Sequence, residues 1–144
     1  MSDADDRRQL QDVMLSYAAA VDGRDMARYR ACFADDVEIV GFGEAIINGA
    51  DTWTASVESQ LEAFSATQHL ISPQLATVSG DTASARTDVQ ALHVLKDGDS
   101  AIFTLWATYL TDFVRSGGGY VGVCAGAYLG STMCLSLLPV EVLV

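Results

Sequence analysis

The hydrophobic period of this chain changes once, near residue 67, and that change limits the folds open to it. Before it, Leu10, Val13, Met14, Tyr17, Ala18 and Val21 fall at the three- and four-residue steps that line one face of a helix. The first helix is expected to end near Val21, where Asp22-Gly23-Arg24-Asp25 interrupts the chain. Met26, Tyr29, Arg30 and Phe33 then repeat the pattern in a shorter helix that Asp22 or Asp25 could cap. Residues 37–42 read as a strand, and Trp53, Val57, Leu61 and Phe64 as a third helix. After residue 67 the period is two. Three extended runs, 67–79, 83–95 and 101–115, are separated by Gly80-Asp81 and by Lys96-Asp97-Gly98-Asp99, both hairpin-type turn sequences. Helices followed by a meander define an α+β domain, in which a curved antiparallel sheet wraps around three N-terminal helices and leaves a cavity at one end.

Charge separates the chain differently. Residues 1–115 carry all 8 Lys and Arg and 18 of the 19 acids, whereas 116–144 carry only Glu141. The net charge of −11, with no basic cluster, argues against nucleic acid or an anionic membrane surface as partner and leaves small neutral or polar substrates. The N-terminal MSDADDRRQL is too polar for a signal peptide, so a cytoplasmic location is expected. Cys32, Cys124 and Cys134 have neither zinc nor disulfide spacing and read as buried thiols.

Both histidines fall on expected strands. Alternation puts His69 on the face of Thr67 and Ile71, and His93 on the face of Val89, Ala91 and Leu95, so both rings are directed to the concave side. There an imidazole can move protons near neutral pH, although a core histidine held by hydrogen bonds would show the same pattern. Asp22 follows the helix face that carries Tyr17. It could orient an imidazole or simply cap a helix. Tyr17, Val40, Phe42, Trp53 and Trp106 are the side chains expected to contact substrate. No Gly-x-Ser-x-Gly motif occurs, and two histidines without a carboxylate cluster do not suggest a metal; no metal or cofactor is expected.

The stretch Tyr17-Ala-Ala-Ala-Val-Asp22-Gly-Arg-Asp25, with Cys32-Phe33-Ala-Asp35-Asp36-Val37, Gly49, Thr67-Gln68-His69, Gly80-Asp81-Thr82-Ala83 and Ala91-Leu92-His93, resembles the SnoaL-like branch of the nuclear transport factor 2-like superfamily from about residue 5 to 115. That resemblance implies a cone of bent sheet around three helices, a homodimer or homotrimer, and chemistry like that of scytalone dehydratase or hexachlorocyclohexane dehydrochlorinase. By the same resemblance Asp22 and His69 form a carboxylate–imidazole pair and His93 is a second pocket histidine. The dehydratase's pocket tyrosines correspond to Val21 and Val40, and the carboxylate base of ketosteroid isomerase also falls near Val40, so those specific activities do not carry over.

Family members close the cone with a Gly-Trp-Arg-Ile strand, which this chain lacks. Residues 120–129 could still close the sheet, with 133–144 adding a strand. Gly122-Val-Cys124-Ala-Gly126 could instead be a nucleophile turn, residues 117–140 a membrane span, or the codons from Val121 onward a shifted reading frame. The resulting expectation is one domain over residues 1–144, acting as an acid–base lyase, dehydratase, isomerase or cyclase on a polyketide-, steroid- or terpenoid-like molecule. Its alternatives are a non-catalytic ligand-binding or oligomerising cone and an oxygenase small-subunit-like assembly partner.

Overall fold

A computed structural model describes residues 2–42, 45–97, 101–116 and 119–129. Helix α1 spans Asp3–Gly23 and starts in a capping box: the Ser2 hydroxyl accepts from the Asp5 backbone N–H, and the Asp5 carboxylate accepts from the Ser2 N–H, each at 3.2 Å. Asp3, Asp5 and Asp6 in its first turn complement the helix dipole. The helix runs two residues past Val21 and ends at Arg24, whose φ of 58° is left-handed. Asp22 therefore lies in the last turn of α1. Helix α2, Met26–Arg30, is capped by Asp25, which accepts the Arg28 N–H at 3.0 Å. Of the two possible caps, the structure uses Asp25 and leaves the Asp22 carboxylate for other partners.

Strand β1 spans Phe33–Val40, β2 Ile47–Asn48 and helix α3 Ala50–Leu61. Two residues are too few to show a period, which is why β2 leaves no trace in the pattern. The extended run at 67–79 is two strands, β3 at Phe64–Ile71 and β4 at Leu75–Ser79. Pro73 interrupts it, since proline cannot donate to a strand ladder. Both halves pair with one long strand, β5 at Thr82–Leu95, β3 along Val89–Leu95 and β4 along Thr82–Arg86. Gly80, with φ of 60°, supplies the positive angle that the two-residue β4–β5 turn needs. Strand β6, Ile102–Ser116, follows, then β7, Gly119–Leu129.

The sheet order is β2-β1-β7-β6-β5-β3. Neighbours are antiparallel except β1 and β7, which run parallel, so the tail closes the sheet onto the first strand. Gly122 to Gly126 is extended within β7 and paired on both sides, which excludes a strand-to-helix nucleophile turn there. The expected strand over 133–144 lies outside the described residues. Among the described residues no helix is long and apolar enough to cross a membrane.

Two cores fill the concave side. Leu10 and Met14 of α1 pack on Ala83, Ala85, Val89, Ala107, Tyr109 and Phe113; Ala20, Val21, Tyr29, Phe33, Val37, Ile39 and Trp53 form the second. Val13, Tyr17 and Phe42 touch both. The start of α1 is tied to the sheet by Arg115, which donates to Asp6 at 2.7 Å, with both side chains largely buried.

Candidate active site

The last turn of α1 and the inner face of β3 bring Asp22 and His69 together. His69 Nδ1 lies 2.7 Å from Asp22 Oδ1, and the His69 backbone N–H donates to Oδ2 at 2.7 Å. Thr67, two residues earlier on the same face of β3, donates its hydroxyl to Oδ1 at 3.0 Å. A carboxylate only accepts, so Nδ1 carries a proton and Nε2 is left as the basic nitrogen. Partial burial alone would raise the Asp22 carboxyl. The hydrogen bonds from the His69 ring, the His69 backbone and Thr67 outweigh it and hold the carboxyl below its usual value. The His69 side chain is only 7% exposed, so the pair is sheltered from solvent.

His93 on β5 lies diagonally across from His69, beside Thr67, with ring centroids 5.9 Å apart and edge to face. It stacks on Phe103 at 4.7 Å and contacts Phe64 at 4.9 Å. Its buried Nδ1 has no hydrogen-bond partner among the described residues. Burial, followed by repulsion from His69, lowers its pKa from 6.5 to about 4, so at neutral pH this ring is uncharged and offers one N–H. The unfolded chain then binds more protons than the folded one between pH 6.5 and 4, and stability should fall on acidification across that window. A His93→Phe variant should show a shallower loss in denaturant titrations at stepped pH; an unchanged slope would contradict the assignment.

Tyr17 joins the pair to an apolar cavity. Its ring lies edge-on to His69 at 6.5 Å, and its hydroxyl is 3.5 Å from that of Tyr109. Val13, Met14, Phe33, Phe42, Trp53 and Phe113 line the rest of this cavity with Tyr17 and Tyr109. Tyr29 stands behind Tyr17, with ring centroids 5.1 Å apart. Burial, reinforced by the neighbouring phenols, pushes all three tyrosines well above the usual phenol value, so they remain neutral donors.

Of the residues expected from sequence, Asp22, His69, His93 and Tyr17 converge, and Phe42 and Trp53 line the cavity. Val40 and Trp106 do not. Val40 is the exposed member of the alternation on β1, and Trp106 on β6 is 53% exposed beside inward-facing Ala107, so both project from the outer face. Tyr109 was missed, although the alternation Ala107, Tyr109, Thr111, Phe113 along β6 carries the signal that would have found it. No three His, Cys, Asp or Glu side chains converge as metal ligands among the described residues.

The fold has known relatives. The SnoaL-like domain family matches residues 2–121, and the chain belongs to that family. The match ends inside β7. Among solved structures, a protein of Kribbella flavida superposes with a TM-score of 0.83 at 22% identity, covering 90% of this chain and 94% of its own. A Novosphingobium aromaticivorans protein named for scytalone dehydratase gives 0.79 at 21% identity, over 86% and 83%. Another from that organism, named for aromatic ring hydroxylation, gives 0.80 at 25%, over 92% and 97%. These likenesses establish the cone fold of the nuclear transport factor 2-like superfamily. No curated protein matches the sequence.

Proposed function

We propose that this protein is an acid–base lyase, isomerase or cyclase acting on a hydrophobic small molecule of polyketide, steroid or terpenoid type. The Asp22–His69 pair carries this reading. The two Novosphingobium relatives bear names for different reactions on one fold, so the fold does not choose the chemistry and the side chains must. With Nδ1–H directed at Asp22, Nε2 of His69 takes a proton from a carbon next to a carbonyl or a leaving group. Asp22 stabilises the imidazolium as it forms. Neutral His93 and Tyr17 donate hydrogen bonds to the oxyanion or leaving group.

The test is a screen of hydroxylated polycyclic and terpenoid carbonyl compounds with wild type and Asp22→Asn in parallel. Oxygen must stay opposite the His69 backbone N–H, so the Asn amide nitrogen faces the ring and Nδ1 must become an acceptor. The proton then moves to Nε2 and the base is lost. Turnover should fall on the order of a hundredfold or more. Equal turnover by the two proteins would exclude the pair from the reaction.

A further inference from the structure

Arg24 is the one described non-glycine residue with positive φ, at 58°. Gly23 beside it would meet that angle without cost, yet the left-handed position falls on the arginine, where an L side chain is disfavoured by roughly 1–2 kcal/mol. What the arginine gains is visible in its contacts. One guanidinium nitrogen donates to Val21 O and to Thr67 Oγ1, each at 2.8 Å, and the other lies 3.5 Å from Phe64 O.

Guanidinium has donors only, so Thr67 Oγ1 must accept from it. The hydroxyl has a single proton, and with Arg24 on its acceptor side that proton is directed to Asp22 Oδ1 at 3.0 Å. Asp22 Oδ1 is the same atom that faces His69 Nδ1. A chain of oriented bonds thus runs from Arg24 through Thr67 and Asp22 to the His69 ring.

We propose that Arg24 and Thr67 are positioning residues: Arg24 sets the direction of the Thr67 hydroxyl, which holds the Asp22 carboxylate in the rotamer and hydrogen-bond state that fixes the His69 tautomer. This rests on the reading of Asp22–His69 as the proton-transferring pair. It adds an active role for the αL residue that ends α1, whose other reading is a helix terminator.

Variants at Arg24, Thr67 and Asp22, read by one spectrum and by turnover, decide it. Long-range 1H–15N spectra of the imidazoles report which ring nitrogen of His69 carries the proton, with no substrate present. Wild type should show a single Nδ1–H tautomer, lost in Asp22→Asn. Arg24→Met and Thr67→Val should each show mixed-tautomer shifts, and Thr67→Ser, which restores the hydroxyl, should return the wild-type spectrum. Arg24→Gly serves as the folding control. It relieves the positive φ, so its thermal stability should equal or exceed that of Arg24→Met while its His69 spectrum is equally mixed. On any compound that wild type converts, kcat should fall about tenfold in Arg24→Gly and Arg24→Met with KM little changed, because misplacement of a base costs rate rather than binding. The double variant Arg24→Met/Thr67→Val should be no worse than the poorer single one, since both act through one hydroxyl. Wild-type His69 spectra and kcat in Arg24→Gly would overturn the positioning role and leave Arg24 a helix terminator. A wild-type spectrum without the Nδ1–H tautomer would overturn both this role and the pair beneath it.

Discussion

Turnover by His69→Ala should fall by about 10²–10⁴-fold on whichever carbonyl compound the wild type converts, the usual contribution of a positioned general base. Alanine removes the base, but it also takes one hydrogen-bond donor from a carboxylate that is only 24% exposed. Lost activity in that variant could therefore include lost folding. His69→Asn separates the two. The Asn amide can reach the place of Nδ1 and donate to Asp22 Oδ1, while Thr67 and the backbone N–H keep their own bonds to the carboxylate. It has no basic nitrogen. The expected result is a thermal midpoint close to wild type with activity as low as in the alanine variant. A His69→Asn protein retaining more than roughly a tenth of wild-type turnover would remove His69 from proton transfer.

Phe113→Ala should cost about 3–5 kcal/mol in stability, the range for truncating a buried aromatic. Phe113 is 1% exposed and packs under Leu10 and Met14 of α1. Its cross-strand partners are Ala83 and Gly122, and Ala85 and Ala107 lie in the same core. Methyl groups cannot swing into the space that the ring leaves. The new void would also open onto the cavity that Phe113 already lines, so little of it can be recovered by collapse. Urea titration should show a lower midpoint at an unchanged slope, which identifies a loss of native stability rather than a change in the unfolded state. A cost below about 1 kcal/mol would mean that the core repacks around the gap.

Much of this architecture was legible in the residue pattern because amphipathic spacing is a local property. The three helices, the two long strands β5 and β6 and the hairpin at Gly80-Asp81 all follow from it. The pattern did not show the break at Pro73, where the inward positions shift from Thr67, His69 and Ile71 to Ala76 and Val78, because the outward Leu70 and Leu75 are as apolar as the inward residues and mask the change of phase. Phe64 illustrates the same limit. It continues the helical step from Leu61, but the structure puts it at the start of β3, where pairing with Leu95 overrides helical spacing. At the site, alternation directed His69 and His93 inward, and the structure agrees. Val40 and Trp106, also expected to contact substrate, lie on the outer face, where each alternates with an inward neighbour, Ile39 and Ala107.

By itself the sequence determined the class of fold and the kinds of side chain available for chemistry: two inward histidines, an aspartate at the end of a helix, and an acidic body without a cationic patch. Tertiary structure decided which of these meet. Asp22 and His69 are 47 residues apart, and nothing in either segment specifies the 2.7 Å between them. That distance depends on where α1 ends, which Arg24 sets, and on how β3 is registered against β5, His69 facing Ala91. Helix and strand periodicity are short-range consequences of backbone geometry, whereas a hydrogen bond between distant segments exists only once both are packed on a common core.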